Sequence, residues 1–574
     1  MSEAFSVNEI PFSYHGSWFD ISPVIAENTY ADDLHLVSHQ TRLHPVLRFV
    51  PALDGHRVPA TVTATPTQLS WHHDDGVVDL AYEQPDTVRI RGVGLGLRIL
   101  AADPVLTPFS GTYLYRDPVA GGDVFTVYET GRRYRVTVLD GAAKVTGDEV
   151  LGRAERAVEL PSGPPWELAI EEYETARPAY RADATYRHVV KSAEAEFAGF
   201  LDAVAPWRSH HTPAAALAAY VLWSATVRPA GFITRPAVLM SKHWMDKVWS
   251  WDHCFNALAL ADGLPDLAWH QFRLPFDHQD GAGALPDSIT HSEVLHNFVK
   301  PPIHGWALRC LRNRLREPLD PTRLAETYDP LARWTDFWLN HRRAAGDPLP
   351  HYQHGNDSGW DNATTFDPGR LVATADLAAH LSVQARELAG MADELGRTAD
   401  ARRWSATADE LTTALLERLW TGERFVTRSV ASGRTWPSTS LLDLTPIVLG
   451  ERLPRSVREA LAQRVALHLT PHGLATEHPR SRHYEADGYW RGPVWAPATV
   501  LVEDGLRRAG YARLADRVSA TFRALCERSG FAENFDAGTG QGLRDRAYTW
   551  TASAYLILAG AWHCRSGTPG PPRP

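Results

Sequence analysis

Thr212-Pro213-Ala214-Ala215-Ala216-Leu217-Ala218-Ala219-Tyr220-Val221-Leu222-Trp223-Ser224-Ala225-Thr226-Val227 divides the chain into two kinds of sequence. Thr212 is an N-cap residue type, Pro213 suits the first helical position, and a continuous apolar run follows. Beyond it, apolar periodicity predicts helices beginning near Pro213, Trp251, Pro265, His304, Leu331, Thr374, Ala399, Ser438, Pro454, Pro493, Ala512 and Thr549. With no strands alternating between them, these helices suit an (α/α)6 barrel of six helical hairpins. No clear internal repeat is visible, so a solenoid fits less well.

Before that stretch the pattern is β. Leu34–His39, Val46–Val50, Ala60–Trp71, Val77–Tyr82, Thr87–Leu100, Gly111–Tyr115, Val124–Tyr128 and Arg133–Leu139 read as strands. Hairpin turns are expected at Asp75-Gly76 and Thr130-Gly131. The apolar parity of Thr87–Leu100 slips at Gly92, which predicts a β-bulge there. Many short strands with turn punctuation suggest a β-sandwich. The expected organisation is mostly α: a β-sandwich over residues 1–180, a linker helix region over 181–211 (its helix Thr185–Val204), a barrel over 212–565, and a disordered tail over 566–574.

The 574 residues suffice for two sizeable cores, and 44% hydrophobic with 22% charged residues is ordinary globular composition. A net charge of −10 argues against nucleic acid or an anionic membrane as the main partner. Cys254, Cys310, Cys526 and Cys564 form no C-x-x-C pair, so neither a disulfide framework nor a zinc site is expected, and a cytoplasmic setting fits. The first residues, MSEAFSVNEIPFSYHG, carry no signal-peptide pattern, and no apolar run is long enough for a membrane span. Twenty Trp are many; indoles suit clefts that stack on the apolar C–H faces of sugars.

Chemistry concentrates in five connections. Lys242–Phe255 carries Trp249, Trp251, Asp252 and Phe255, a candidate sugar floor with a hydroxyl acceptor; the alternative is packed indoles and an Asp252 N-cap. Asp287, in Pro286-Asp287-Ser288, either accepts sugar hydroxyls or makes a turn. His351–Asn362 contains Asn356, Asp357, Trp360 and Asp361, two acids around an indole. Glu485–Trp495 offers Trp490 and Trp495 for stacking and Arg491 to fork onto hydroxyls or a carboxylate. Ala532–Gly540 presents Glu533 ahead of Trp550. Two opposed carboxyls are what inverting glycoside hydrolysis requires, one protonating the leaving oxygen and one deprotonating water. His72-His73 and His210-His211 lack companions at ligand spacing, Arg91–Gly96 opens no helix as a nucleotide loop would, and His341-Arg342-Arg343 reads as a helix C-terminus.

At these residues, from about Lys242 to Trp562, the chain resembles glycoside hydrolase family 63 and its relatives, among them the trehalase and mannosylglycerate hydrolase families. V-W-S-W-D-H-C-F is similar to their early Trp-Asp motif, D-S-G-W-D-N to their general-acid motif, Y-W-R-G-P-V-W to a substrate-site motif, and A-E-N-F-D-A-G-T-G to their general-base motif. The resemblance implies an (α/α)6 barrel and inverting chemistry, with Asp361 as general acid and Glu533 as general base. It implies a sugar-binding Asp252 and no metal or cofactor. The chain departs from the pattern at Phe535, where many relatives carry Tyr, and at Ala363-Thr364-Thr365-Phe366, where several carry Ser-Pro-Arg. An α-glucosidase acting on a small α-glucoside or oligosaccharide is the first expectation. An α-mannosidase or glycosylglycerate hydrolase, an inverting phosphorylase, and a non-catalytic sugar binder are the alternatives, with Asp357 a rival acid. The expected partner is a small carbohydrate; the sequence does not fix the oligomeric state.

Overall fold

The computed structural model describes residues 4–315 and 318–566. The expected tail beyond Ser566 lies outside the described residues, and Ser566 itself ends the last helix, Thr549–Ser566.

The chain divides into two compact units that interleave in sequence. One comprises Met1–Asp202, Ala219–Lys247 and Thr290–Glu293; the other Ala203–Ala218, Val248–Ile289 and Val294–Pro574. The first holds two large antiparallel sheets. In one, the order is Phe19–Ala26, Thr29–Ser38, His44–Leu53, Gly96–Ala101, Ala157–Leu160, Lys144–Thr146, with His56–Arg57 paired to His44–Leu53. The other runs Thr112–Arg116, Asp123–Val127, Arg132–Asp140, Trp166–Tyr173, Thr87–Val93, Gly76–Gln84, Leu69–His73, Thr61–Ala64. Aromatic pairs join the sheets: Phe49 meets Trp71 at 6.1 Å between ring centroids, and Phe19 stacks on Tyr82 at 5.3 Å.

Two corrections to the strand reading have clear causes. Thr87–Leu100 is not one bulged strand. It splits into Thr87–Val93 and Gly96–Ala101, in different sheets, through Gly94 at φ +73°. The small residue at Gly92 is required by the Trp166 indole, which an added Cβ would meet at 2.3 Å. Ala60–Trp71 likewise breaks into two strands around Thr65–Gln68, where the Thr65 amide donates to the Gln68 carbonyl.

The helix Tyr186–Val204 follows the sheets. Buried polar anchors hold the returning segment to the β unit. The Lys242 ammonium donates to Ser13 Oγ at 2.9 Å and to the Ser17 carbonyl at 2.8 Å, and burial pulls its pKa down to about 7. His39 lies between Asp20, at 2.7 Å, and Asp246, at 3.3 Å.

The second unit is helical. His253–Leu260 packs on His304–Arg314, which packs on Ala375–Glu394, then Leu441–Arg452, then Ala496–Arg508, then Thr549–Ser566, which returns to His253–Leu260. Further helices back this closed run: Pro265–Asp277 on His253–Leu260, Thr398–Leu419 on Ala375–Glu394, Arg455–His468 on Leu441–Arg452, and Ala512–Ser529 on Ala496–Arg508. Close approach is built in: a Cβ on Gly305 would sit 2.3 Å from Gln384 Cα, and the Gly305 amide donates to Gln384 Oε1.

Three expected helix starts shift. The helix expected from Leu331 begins at Pro321, capped by Asp320 accepting from the Arg323 amide, and runs through Pro330. The segment expected from Ser438 is a 3-10 run, Leu441–Arg452, containing Pro446 and ending through Gly450 at φ +60°. Pro493 does not start its helix, which begins at Ala496, because Val494 is paired with Phe535.

Candidate active site

The connections entering the N-terminal ends of the packed helices converge. Asp252 immediately precedes His253–Leu260, Lys300 precedes His304–Arg314, Asp361 precedes Ala375–Glu394, Trp490 precedes Ala496–Arg508, and Glu533 precedes Thr549–Ser566. Backbone bonds lock two of these loops together: the Val494 amide donates to the Phe535 carbonyl at 2.7 Å, and the Phe535 amide returns the bond at 3.0 Å. A third loop joins through Asn362, whose Nδ2 donates to the Gly488 carbonyl and whose Oδ1 accepts from the Trp490 amide at 2.9 Å.

Five indoles form one cluster. Trp490 and Trp495 stack at 4.0 Å and 8°, Trp360 lies 4.6 Å from Trp490, and Trp550 meets Trp251 at 5.7 Å and Trp495 at 5.4 Å. Each of the five is under a tenth exposed, whereas Trp249 is partly exposed. Phe255 is fully buried against Trp251 and Trp306, so it supports the cluster from behind rather than facing a ligand.

The carboxylates separate by what they do for the fold. Asp357 is consumed: it accepts from Arg342 Nη1 at 2.9 Å and from the amides of Gln353, His354 and Val299. Both Asp357 oxygens are thus engaged by the fold, and Arg342 is more than a helix terminus. Asp357→Asn replaces an acceptor with a donor against these partners and leaves a guanidinium unpaired. The expected cost is about 3–5 kcal/mol, read as a lower thermal unfolding midpoint. Arg491 is also committed. It binds both oxygens of Asp367 and the Asn362 carbonyl, so it clamps the acid loop instead of presenting a free fork to a ligand.

Asp252, Asp361 and Glu533 each have a buried oxygen without a hydrogen-bond partner among the described residues. Asp252 stands at the N-cap of His253–Leu260 but makes no capping bond, and its Oδ2 has no hydrogen-bond partner among the described residues. The same holds for Asp361 Oδ1 and Glu533 Oε2. Such groups are costly unless a ligand or a reaction needs them. Burial pushes Glu533 up to about 8; Asp545 and Asp361 add to this, while Arg544 and a hydrogen bond from Tyr489 oppose it. Burial also raises Asp361, with Lys300 opposing and Asp287 adding. Asp252 is held well above the usual carboxylate range by burial, again with Lys300 opposing and with Asp287 and Asp361 adding. The Asp361 charge is thus a minor contributor to the rise at Glu533, behind burial and Asp545.

Sequence reading missed Lys300, Tyr489 and Arg544. Lys300 precedes a Pro-Pro pair and reads as an ordinary surface lysine. Tyr489 stands inside a recognised motif, at φ +62°, with its ring under the Arg544 guanidinium at 4.9 Å. Its strained backbone is invisible in sequence. Asn356 contributes its carbonyl, which accepts from Lys300 Nζ at 3.2 Å. No group of three or more His, Cys, Asp or Glu side chains arranged to hold a metal occurs among the described residues.

Residues 245–551 match the mannosylglycerate hydrolase MGH1-like glycoside hydrolase domain. The chain belongs to this family. This glycoside hydrolase is 24% identical over 416 residues to a mannosylglycerate hydrolase of Rubrobacter radiotolerans, spanning 57% of the chain and 92% of the relative. It is 23% identical over 449 residues to a glucosylglycerate hydrolase of Mycolicibacterium hassiacum, spanning 61% and 98%. The family 63 mannosylglycerate hydrolase of Thermus thermophilus, solved with glucose, superposes with a TM-score of 0.52 at 21% identity. That alignment covers 60% of this chain and 98% of the other, and it shows a shared fold. No helix among the described residues is long and apolar enough to cross a membrane.

Proposed function

We propose that this hydrolase cleaves the α-glycosidic bond of a glycosylglycerate with inversion, using Asp361 as general acid and Glu533 as general base in an (α/α)6 barrel. The observation that carries the reading is that partly exposed Asp361 and buried Glu533 each keep an inward oxygen without a hydrogen-bond partner among the described residues, on loops feeding two helices of one closed run, in a chain of this family. The relatives named for mannosylglycerate and glucosylglycerate favour a glycerate aglycone over the general α-glucosidase first expected from sequence. The unused Asp252 oxygen and Asp287 are suited to accept sugar hydroxyls, with the indole cluster beneath the ring.

In this reading Asp361 gives its proton to the departing glycerate oxygen while Glu533 takes a proton from water on the opposite ring face. The two carboxyls must leave roughly 6.5–9.5 Å for that water. Tyr489 and Arg544 bias Glu533 toward the ionised form the base needs.

Proton NMR with α-mannosylglycerate, α-glucosylglycerate and simple α-glucosides and α-mannosides tests this. The expected first product is the β-anomer of one hexose, from a glycosylglycerate, at a rate independent of inorganic phosphate. Turnover of simple α-glucosides alone would restore the α-glucosidase reading, and a phosphate requirement would point to phosphorolysis. Binding without turnover would mean a sugar-binding protein.

A further inference from the structure

Lys300 is buried, and its ammonium faces three carboxylates. Nζ lies 3.2 Å from Asp287 Oδ1, 3.2 Å from the Asn356 carbonyl and 3.9 Å from Asp361 Oδ1, with Asp252 also in its field. Burial works against its charge, but Asp361, Asp287 and Asp252 outweigh that and hold its pKa above the ordinary lysine range. The ammonium is therefore permanent at working pH. Asp287 and the Asn356 carbonyl fix its position. The Asp361 oxygen nearest to it lies beyond hydrogen-bond distance and has no other donor among the described residues.

We propose that Lys300 is a positioning residue whose fixed charge stabilises the negative charge that develops on Asp361 as the acid gives up its proton. The inference rests on Asp361 acting as the general acid. Its logic is electrostatic. The Asp361 side chain is partly exposed, but its Oδ1 is shut off from water, and charge developing on that oxygen is poorly solvated, which makes the carboxyl hold its proton more tightly. A preorganised cation a few ångströms away supplies what water would have supplied, and it costs no reorganisation when the proton moves. No covalent step involves Lys300: the proton passes from Asp361 to the leaving oxygen, and the ammonium keeps its own three protons.

The groups facing Asp361 are Lys300, Asp287, His354, Asp252, Tyr489 and Glu533. Of these, Lys300 is the neighbouring cation with the larger opposing effect, ahead of His354. Removing its charge while keeping its hydrogen bonds should leave Asp361 with a higher pKa and a slower proton transfer.

The test uses Lys300→Gln, with Lys300→Met as a second neutral variant and Lys300→Arg as the charge-retaining control, on the full chain. Each variant is first compared with the parent for its thermal midpoint. Two substrates are used: the glycosylglycerate, whose leaving group needs a proton, and the corresponding α-glycosyl fluoride, whose fluoride leaves without strong acid assistance. Expected for Gln and Met is a fall in kcat of about 10²-fold on the glycoside, less than about 10-fold on the fluoride, and a basic limb of kcat/KM moved to higher pH. Arg should restore much of the glycoside rate and the parental limb. Equal losses on both substrates, an unmoved basic limb, or a change confined to KM would overturn the proposal and leave Lys300 a structural or sugar-binding residue. If only one neutral variant folds, it alone decides. If the parent turns over neither substrate, the glycosidase assignment fails first, and that outcome is distinct from any Lys300 effect.

Discussion

Glu533→Gln and Asp361→Asn each lower kcat by about 10²–10⁴-fold with little change in thermal midpoint, because neither carboxyl is tied into the fold's hydrogen bonding as Asp357 is. Steady-state kinetics beside thermal unfolding checks this. Near-normal turnover in either variant would remove that residue from the mechanism. The pH profile gives the sign. A base must be ionised, and burial pushes Glu533 up to about 8. With Glu533 as the base, kcat/KM rises with pH over a range above that of ordinary carboxylates. Burial raises Asp361 too, so both groups titrate above the range of ordinary carboxylates. Arg544 opposes the rise at Glu533, so Arg544→Ala should move the acid limb further up. An acid limb at the pH of an exposed glutamate would contradict the buried site.

A chain beginning at Thr212 should not yield a folded enzyme. The natural cut between β and α sequence lies near that residue, yet Ala219–Lys247 belongs to the β unit. Tyr220 packs on Phe5 at 4.7 Å, Trp223 on Tyr14 at 4.8 Å and on Phe197 at 5.5 Å, and Lys242 bonds to Ser13 and the Ser17 carbonyl. Truncation exposes both aromatics and strands the ammonium. Losing the packing of one large buried aromatic costs about 3–5 kcal/mol, and a domain's whole stability is about 5–15 kcal/mol. The expected result is aggregated protein, or a species lacking a cooperative thermal transition. A monomeric, cooperatively melting and active 212–574 fragment would refute this account of the segment.

The helical half was legible because its helices carry strong apolar periodicity and clear start signals, such as Thr374 at the N-cap position and Pro265 in the first turn. Pro330 misled the reading of its helix, since tertiary packing tolerates a proline that propensity disfavours. Strand parity could not distinguish a bulge at Gly92 from a chain changing sheets, because both flip the face of every later residue. In the site, composition marked loops that the structure brings together. It could not tell Asp357, which accepts four hydrogen bonds, from Asp361, which keeps an oxygen free. That difference lies in amide directions from residues up to 58 positions away. Arg491 holds a carboxylate, one of its two expected roles, but sequence could not name the partner, Asp367, which stands 124 residues earlier.

The return of Thr290–Glu293 to the β unit has a consequence for how the protein is made. Gly231 abuts the His291 carbonyl, and the Trp18 and His291 rings meet at 5.3 Å, so the first unit gains its last pieces only after residue 293 is synthesised. The last strand of the sheets ends at Tyr173, so at roughly 5–20 residues per second the stretch from there to residue 293 takes about 6–24 s of translation. Through this interval the sheets wait on the ribosome with part of their core still to come, while the first helix of the closed run, His253–Leu260, has already emerged. The two units must therefore mature together rather than in succession. A nascent chain stalled shortly before residue 290 should be more sensitive to protease than one released past it.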